Sequence, residues 1–206
     1  MEKLSRKERE HKTRRLEILK AAERVFARNG FYNSTVAEIA KESEFAIGTL
    51  YQFFNNKEEL YYTMMIEEFD LLHTTLEEKI GASKVFLSKL NCLVDVILSF
   101  IESNVDFFKI FTWELNVLTV SLEHNLKEQL IAKHFGYIKI ISNVVKQGIH
   151  EGTLMECDPD DLSAALIGMM NVFSFNWILN KQQEPLKEKS NMIVKLFLSG
   201  ALKTDR

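Results

Sequence analysis

Apolar residues recur along this chain at intervals of three and four, which is the period of one face of an α-helix. The first such stripe begins near Arg14 and includes Ile18, Ala22, Val25 and Phe26. An Asn-Gly pair at residues 29–30 ends it, because glycine adopts the left-handed conformation of a helix C-cap without steric cost. Residues 1–13 are charged and carry no apolar stripe, so we expect this basic arm to fray or to follow a phosphate backbone.

Two short helices are predicted next, and a tight turn joins them. Thr35 and Glu38 form the T-x-x-E pattern of a capping box at the start of the first. Residues 47–54 predict the second, and Asn56 with Glu59 repeats the capping pattern before a longer helix. Two short helices around a tight turn are typical of the helix-turn-helix that reads DNA. The alternative is that they are two small structural helices of a bundle.

Longer helical stripes cover the rest of the chain, and neither an alternating β pattern nor an internal repeat occurs. We predict an all-α fold of about nine helices. Residues 1–56 would form a three-helix DNA-binding domain that includes the basic arm, and residues 57–206 a helical bundle for ligand binding and dimerisation. The later helices are predicted at about residues 57–79, 83–103, 106–118, 121–150, 159–180 and 185–203.

Charge is distributed unevenly, although the net charge of the 206 residues is only -3. Residues 1–57 carry 12 Lys and Arg against 8 Asp and Glu, whereas residues 58–206 carry 14 against 21. A basic end on an acidic body orients a protein on DNA. The two cysteines, the lack of a signal-peptide pattern and the lack of an apolar run of about 18 residues predict a cytoplasmic protein without a membrane segment.

The second short helix supplies side chains of the kind that reach base edges in the major groove. Gly48 permits close approach, Thr49 can touch a thymine methyl group, and Gln52 can pair with adenine. Tyr51 is suited to a phosphate contact, and Lys57 would grip a phosphate at the start of the following helix. The predicted DNA-binding residues are Arg14, Thr35, Ile47, Gly48, Thr49, Tyr51, Gln52 and Lys57.

Several segments in this region carry a family resemblance. They are Ile18-Leu19-Lys20-Ala21-Ala22, Phe26-Ala27-Arg28-Asn29-Gly30-Phe31, Thr35-Val36, Ile39-Ala40, Gly48-Thr49-Leu50-Tyr51, Phe54 and Lys57-Glu58-Glu59-Leu60. In this order and spacing, over about the first 60 residues, they resemble the amino-terminal domain of TetR-type transcriptional regulators. The resemblance implies a homodimeric repressor that binds a palindromic operator. It also implies a variable carboxy-terminal domain in which a small molecule moves the fourth helix and releases the DNA.

The chain departs from that family pattern before the reading helix. Glu44, Phe45 and Ala46 stand where the family usually has Gly-Val-Ser, and Ile47 replaces what is often a polar or basic residue. Glu44 must take a turn conformation that glycine adopts freely, and Ala46 lacks a capping hydroxyl. We therefore expect a weaker phosphate grip at this helix, more contact with thymine methyl groups, and greater dependence on the arginine-rich arm.

Aromatic and Met residues at helical spacings in the carboxy-terminal part predict either a core or a ligand cavity. Because such helices surround a cavity in the family that the chain resembles, we expect a hydrophobic effector, either a flat aromatic molecule or a long acyl chain. Each residue taken alone is more often part of a core. The predicted pocket residues are Phe69, His73, Phe100, Asn104, Phe107, Phe108, Phe111, Trp113, Asn143, Met170, Phe173 and Trp177.

The last two predicted helices suggest the homodimer interface, because small residues let helices approach closely. In a homodimer, two recognition helices about 34–36 Å apart would read successive major grooves of a palindrome. The alternative is that these helices pack only within one chain. The predicted interface residues are Ala164, Ala165, Gly168, Met169 and Leu196.

No enzyme motif, cofactor motif or metal-ligand spacing occurs, and the five histidines are dispersed. We expect a ligand-responsive DNA-binding regulator that uses no cofactor or metal. The alternative is a helical ligand-binding or scaffold protein without DNA function, which Glu44 and Ala46 would permit. Steep salt dependence of duplex binding would distinguish the two classes.

Overall fold

A computed structural model describes residues 5–81, 83–113, 125–180 and 183–202. Within these ranges the chain forms α-helices and one 3-10 turn, which confirms the predicted all-α fold. The elements are α1 (Arg6–Asn29), α2 (Val36–Glu42), α3 (Ile47–Leu50), α4 (Lys57–Ile80), α5 (Phe86–Ser103), α6 (Val105–Trp113), α7 (Asn125–His150), α8 (Pro159–Leu179), the 3-10 turn (Leu186–Lys189) and α9 (Ser190–Ala201).

The first helix begins at Arg6 and not at Arg14, so the expectation that the arm frays is wrong for residues 6–13. The Ser5 hydroxyl accepts the Glu8 N–H at 3.3 Å, and the Glu8 carboxylate accepts the Ser5 N–H at 2.8 Å. This capping box satisfies N–H groups that a helix start otherwise leaves unpaired. The first turns of α1 are therefore held by the cap and by helix propensity, without an apolar face.

The other predicted helices are confirmed with shifted ends. The helix expected from about residue 185 is a 3-10 turn followed by α9, which begins at Ser190. Helix α6 is described as far as Trp113, and α7 is described from Asn125. The parts of the two predicted helices at residues 114–118 and 121–124 lie outside the described residues.

The described chain divides into two compact units. The first comprises residues 5–68 with 106–113 and 125–131, and the second comprises residues 69–81, 83–105, 132–180 and 183–202. Helices α4 and α7 contribute residues to both units. The predicted boundary at residues 56–57 was placed at the end of the helix-turn-helix motif, whereas these two units are defined by compactness. That boundary therefore stays a prediction.

Aromatic packing organises the first unit. The Phe26 ring lies 5.9 Å from the Phe31 ring and 5.3 Å from the Tyr61 ring, and the last two are 4.9 Å apart. All three side chains are buried. Complete burial of a large apolar side chain stabilises a fold by about 1.5–3 kcal/mol, so this cluster holds the start of α4 firmly against the end of α1 and the loop that follows it.

The second unit packs around α5, whose Leu90, Leu93 and Val94 are fully buried. One close approach in this unit requires a glycine. A Cβ atom at Gly148 of α7 would lie 2.6 Å from ring atoms of Phe86 and 2.8 Å from a methyl group of Leu154. The absence of a side chain at residue 148 therefore sets how closely α7 packs against α5.

We expect Gly148→Ala to lower the free energy of unfolding by about 1–3 kcal/mol, because the added methyl group overpacks the contact with Phe86. Gly200→Ala is the matched control, since a Cβ there meets nothing within 4 Å. The measurement is urea denaturation followed by circular dichroism at one protein concentration. Equal unfolding midpoints for the two variants would contradict this account.

Candidate nucleic-acid interface

The start of α2 is fixed by the predicted capping box, which the structure confirms. The Thr35 Oγ1 accepts the Glu38 N–H at 3.2 Å, and the Glu38 carboxylate accepts both the Thr35 N–H at 2.8 Å and the Thr35 hydroxyl at 2.9 Å. The hydrogen bond from the Thr35 side chain is the largest of the effects that lower the pKa of Glu38. Thr35 thus has a structural role, and a contact of its side chain with DNA stays a prediction.

The turn between α2 and α3 adopts the conformation that the sequence departures require. Glu44 lies at a φ of 59°, the left-handed region that glycine adopts without strain. The Phe45 N–H donates to the Ala40 carbonyl at 3.1 Å, which closes the turn. Ala46 is the N-cap of α3 and makes no side-chain cap hydrogen bond. The reading helix therefore starts without a side-chain cap.

Helix α3 separates an inner from an outer face. Leu50 is buried, and so is Phe54 in the turn that follows. A Cβ atom at Gly48 would meet nothing within 4 Å, so the fold itself does not demand glycine at this position. The exposed residues among the predicted readers are Ile47, Gly48, Tyr51 and Gln52, and Thr49 is half-buried.

Arginines of α1 border a groove of about 360 Å³ in the first unit. Arg14 is exposed there, and its predicted contact with DNA stays a prediction. Phe45 brings the turn before α3 to the same groove. The other residues that line it are Arg6, Arg9, Glu10, Thr13 and Glu17. The structure thus brings the basic arm and the helix-turn-helix turn together on one surface.

The remaining arginines of this region pair with acids inside the unit. Arg24 and Arg28 both contact the Glu42 carboxylate, at 2.8 and 3.4 Å, and these contacts lower the pKa of Glu42. Arg15 pairs with Glu67 of α4. These ion pairs join α1 to α2 and α4 and so orient the helices. The three arginines are therefore not available as unpaired cations for a phosphate backbone.

Lys57 makes contacts within the protein that the sequence did not predict, and its contact with a phosphate stays a prediction. Its ammonium donates to the carbonyl oxygens of Phe31 and Ser34 at 2.8 Å each, and it lies 4.4 Å from the centre of the Phe31 ring. An ammonium has three N–H groups, so at most one remains for a phosphate. Lys57 therefore anchors the segment between α1 and α2 to the start of α4, a contact across 23 to 26 residues that sequence spacing does not reveal.

The predicted pocket residues are divided between the two compact units. Six of the side chains are buried, namely Phe69, Phe100, Phe107, Phe108, Met170 and Trp177. His73, Asn104, Phe111 and Phe173 are half-buried, and the side chain of Trp113 lies outside the described part. Phe107, Phe108 and Phe111 belong to α6 in the first unit, and the other described ones belong to the second.

The structure places the predicted polar pocket residues in three different settings. Asn143 is exposed on α7, on the opposite side of the helix from the buried Ile141 and Val145, and its assignment to a pocket stays a prediction. The Asn104 side chain donates to the Phe100 carbonyl at 2.9 Å and so ends α5. His73 approaches α7 where Gly136 lacks a side chain: a Cβ there would lie 3.6 Å from Nε2.

Helices α8 and α9 carry an exposed apolar surface in the second unit. Among the predicted interface residues Leu196 is 50% exposed, and Ala164, Ala165 and Gly168 are exposed as well, while Met169 is half-buried. Further exposed apolar residues of α8 and α9 share this helical spacing. We define the α8–α9 surface as Ala165, Gly168, Val172, Phe175, Leu179, Met192 and Leu196.

Three further observations concern α8. By length and composition it is apolar enough to cross a membrane, and its exposed apolar face accounts for that composition. Phe173 and Trp177 line a surface groove of about 420 Å³ together with Met192 of α9. The Trp177 indole N–H donates to the Glu184 carbonyl at 2.5 Å, which fixes the segment before the 3-10 turn.

Among the described residues no group of three potential metal-binding side chains occurs.

Comparison with known proteins agrees with this arrangement. Residues 18–62 match the model of the bacterial regulatory proteins of the tetR family. Residues 86–200 match the model of the tetracyclin repressor-like carboxy-terminal domain. The two matches cover the helix-turn-helix and most of the second compact unit.

Similar proteins extend over nearly the whole chain. The fatty acid metabolism regulator protein of Bacillus subtilis is 27% identical over 90% of this chain and 94% of its own length. The crystal structure of the Bacillus subtilis transcriptional regulator FadR in complex with stearoyl-CoA has a TM-score of 0.77 at 26% identity, covering 90% of this chain and 98% of that one. The ketosteroid transcriptional regulator KstR2 of Mycobacterium tuberculosis has a TM-score of 0.80 at 22% identity and covers 93% and 96%, which shows a shared fold.

The basic helix-turn-helix, the carboxy-terminal helices and these matches have one common explanation. The chain belongs to the TetR family of ligand-responsive, DNA-binding transcriptional regulators.

Proposed function

We propose that this protein is a cytoplasmic homodimeric repressor that binds a palindromic operator and releases it when a long-chain acyl compound binds its carboxy-terminal domain. The observation that carries the DNA-binding part is the geometry of α3. Leu50 and Phe54 are buried beneath this helix. The exposed residues Ile47, Gly48 and Gln52 therefore form an outer face whose position these buried contacts fix. A rigid outer face is what readout in the major groove requires.

The outer face of α3 predicts how sequence is read. Gln52 can form two hydrogen bonds with adenine, and the exposed Ile47 favours contact with a thymine methyl group. Tyr51, which is 53% exposed, reaches outward far enough to contact a phosphate. Arg9 and Arg14 on the same side of the first unit supply charge for the backbone. We therefore expect an operator half-site that contains A·T pairs.

The α8–α9 surface supports dimer formation. Val172 and Leu179 are each 60% exposed, and Phe175 and Met192 are about 40% exposed, so one chain leaves a continuous apolar stripe in water. Contiguous apolar surfaces of this kind mark interaction sites in soluble proteins. A two-fold symmetric contact places the same patch on both subunits, and a palindromic operator matches that symmetry.

The effector class is taken from the relatives and agrees with the composition of the second unit. The relative FadR was crystallised with stearoyl-CoA, a long-chain acyl thioester. In this chain the aromatic and Met side chains Phe69, Phe100 and Met170 supply apolar surface in the corresponding domain. Release of DNA requires that the effector binds the DNA-incompetent state more tightly than the DNA-bound one.

A second candidate is a helical ligand-binding or scaffold protein without DNA function. It is favoured by Glu44 at positive φ and by the uncapped start of α3 at Ala46. The two functions differ in their salt dependence, because each phosphate contact lowers the logarithm of the binding constant by about 0.9 per tenfold rise in salt. A flat salt profile on duplexes selected from random sequence would support the scaffold.

Gln52→Ala should relax base preference at one position of each half-site. The lost pair of hydrogen bonds to adenine corresponds to about 1–3 kcal/mol of discrimination. Operators selected from random duplexes with the wild type would be compared by fluorescence anisotropy. Lys146→Ala, an exposed change on α7, is the control. Unchanged discrimination by the Gln52 variant would remove this residue from the reading set.

Val172→Glu should convert the dimer to a monomer and reduce operator binding, because it places a charge in the apolar stripe. Phe135→Glu is the matched control, since Phe135 is 62% exposed on α7 and is not part of the α8–α9 surface. Sedimentation velocity at micromolar concentration would measure the mass. A dimer of unchanged stability for the Val172 variant would rule out this surface as the interface.

Stearoyl-CoA should dissociate the protein from its operator, whereas free coenzyme A should not, because we assign the binding energy to the acyl chain. Native mass spectrometry would detect a dimer that carries the added mass, and anisotropy would follow release of the duplex. The chain length at which release begins would report the length of the apolar site. If acyl chains of every length leave the complex intact, the acyl effector is excluded.

A further inference from the structure

A carboxylate of α1 caps the first turn of α6. The Glu23 Oε1 accepts the backbone N–H of Phe107 at 3.0 Å. Phe107 is the third residue of α6, so this N–H has no carbonyl partner within its own helix. A negative charge at this position is also favoured by the helix dipole. Glu23 therefore joins the helix that carries the basic arm to α6, and Glu23 and Phe107 both belong to the first compact unit.

A second carboxylate, Glu68 of α4, belongs to the same compact unit, and the charge of Glu23 acts on it. Its Oε2 atom is fully enclosed and makes no hydrogen bond within the described part of the chain. Burial raises the pKa of Glu68 to about 7, and the negative charges of Glu23 and Glu67 add to the effect while Lys20 opposes it. An ionised carboxylate without a hydrogen-bond donor is costly in such a place, so Glu68 holds a proton at pH 6.

The charged neighbours divide into paired and unpaired groups. Glu67 pairs with Arg15, and Asp106 pairs with Lys109 at 3.1 Å. Burial raises the pKa of Glu23, and Asp106 raises it further, while the Phe107 N–H, Arg24 and Lys20 lower it. We call Glu23, Glu68 and Asp106 the acidic seam of α1, α4 and α6. Only Glu68 has neither an ion-pair partner nor a backbone donor in the described part of the chain.

We propose that the acidic seam makes operator binding depend on pH near neutrality, with protonated Glu68 allowing Glu23 to hold α6 against α1. Loss of the Glu68 proton places a second negative charge beside the Glu23 cap and weakens the link between the two helices. The helix-turn-helix is then held less firmly, and operator affinity falls. This inference rests on the proposed DNA-binding function for its affinity readout, but not for its stability readout.

The direction of the pH effect follows from the pKa of Glu68 in the two states. In the unfolded chain Glu68 has the usual pKa of 4.5, whereas in the folded chain the value is about 7. Stabilisation by the neutral form is complete below pH 4.5 and is lost as the pH rises through about 7. Between pH 6 and pH 8 both the urea midpoint and the operator affinity should therefore decrease.

The test compares wild type with Glu68→Gln, which has the shape of the protonated acid at every pH. Operator affinity by anisotropy and urea midpoints would be measured from pH 6 to pH 8 at fixed ionic strength. Both should fall for the wild type and stay nearly level for Glu68→Gln. The affinity changes about tenfold for each unit by which DNA binding shifts the pKa of Glu68. Every group other than residue 68 is common to the two proteins, so the difference between their profiles isolates residue 68.

A second variant tests the cap itself. Glu23→Gln keeps an oxygen that can accept the Phe107 N–H but removes the charge that raises the pKa of Glu68. The pH at which the wild-type profile falls should therefore move to a lower value. Glu68→Met replaces Glu68→Gln if the amide proves too unstable, since it also lacks a titrating group.

Parallel pH profiles of the wild type and the residue 68 variant, or an unchanged midpoint pH in Glu23→Gln, would overturn the proposal. If the wild type binds no duplex at any pH, the proposed regulatory function fails. In that case the urea midpoints by themselves test the role of the acidic seam, because the stability effect does not require DNA.

Discussion

The reading helix α3 has four residues, Ile47–Leu50, and a helix of that length does not persist in water without tertiary packing. Its stability comes from burial of Leu50 and Phe54, and from closure of the preceding turn through the Phe45 N–H. The outer residues of α3 can face DNA only because these inner contacts hold the helix. Everything that fixes α1, α2 and the start of α4 therefore contributes indirectly to sequence recognition.

Helix α1 is the element on which these contacts converge. Apolar burial, including Ile18 and Phe26, supplies most of the free energy, at about 1.5–3 kcal/mol for each large side chain. The ion pairs of Arg24 and Arg28 with Glu42 are exposed enough to be worth little stability. They act on geometry, because a guanidinium pairs with a carboxylate in a fixed orientation. The reader is thus stabilised by its core and oriented by its arginines.

Local patterns along the chain predicted what depends on local physics. The helical periods and the Thr35 capping box were predicted correctly, since each depends on residues within about one or two turns. The start of α1 was missed because the Ser5 capping box precedes a turn without apolar residues. The pattern of hydrophobic residues alone does not report a solvated helix that is held by its cap.

The contacts that the sequence could not predict join distant residues. The Lys57 ammonium reaches carbonyls 23 and 26 residues away, and the Glu23 carboxylate caps a helix 84 residues away. No spacing rule connects such partners, because only the packed fold brings them together. For the same reason a local pattern can propose reading residues, which lie on one short helix, whereas effector residues would come from many helices. Asn143 illustrates the difficulty, since it is exposed on α7 while the adjacent Ser142 and Val144 are buried.

The division of the chain into two compact units also bears on regulation. An effector can change operator affinity only by binding two states of the protein with different affinities. Those states must differ at contacts that hold the reader, and in the first unit such contacts include the polar ones of Lys57 and Glu23. The Lys57 contact consists of two hydrogen bonds and a ring contact with a turn whose Phe31 and Ser34 side chains are buried, so opening it disrupts the core. The Glu23 contact is a single hydrogen bond, and burial and the nearby charge of Asp106 both disfavour the negative charge of Glu23. Breaking this contact therefore costs less free energy. We infer that the link between α1 and α6 is the more adjustable of the two.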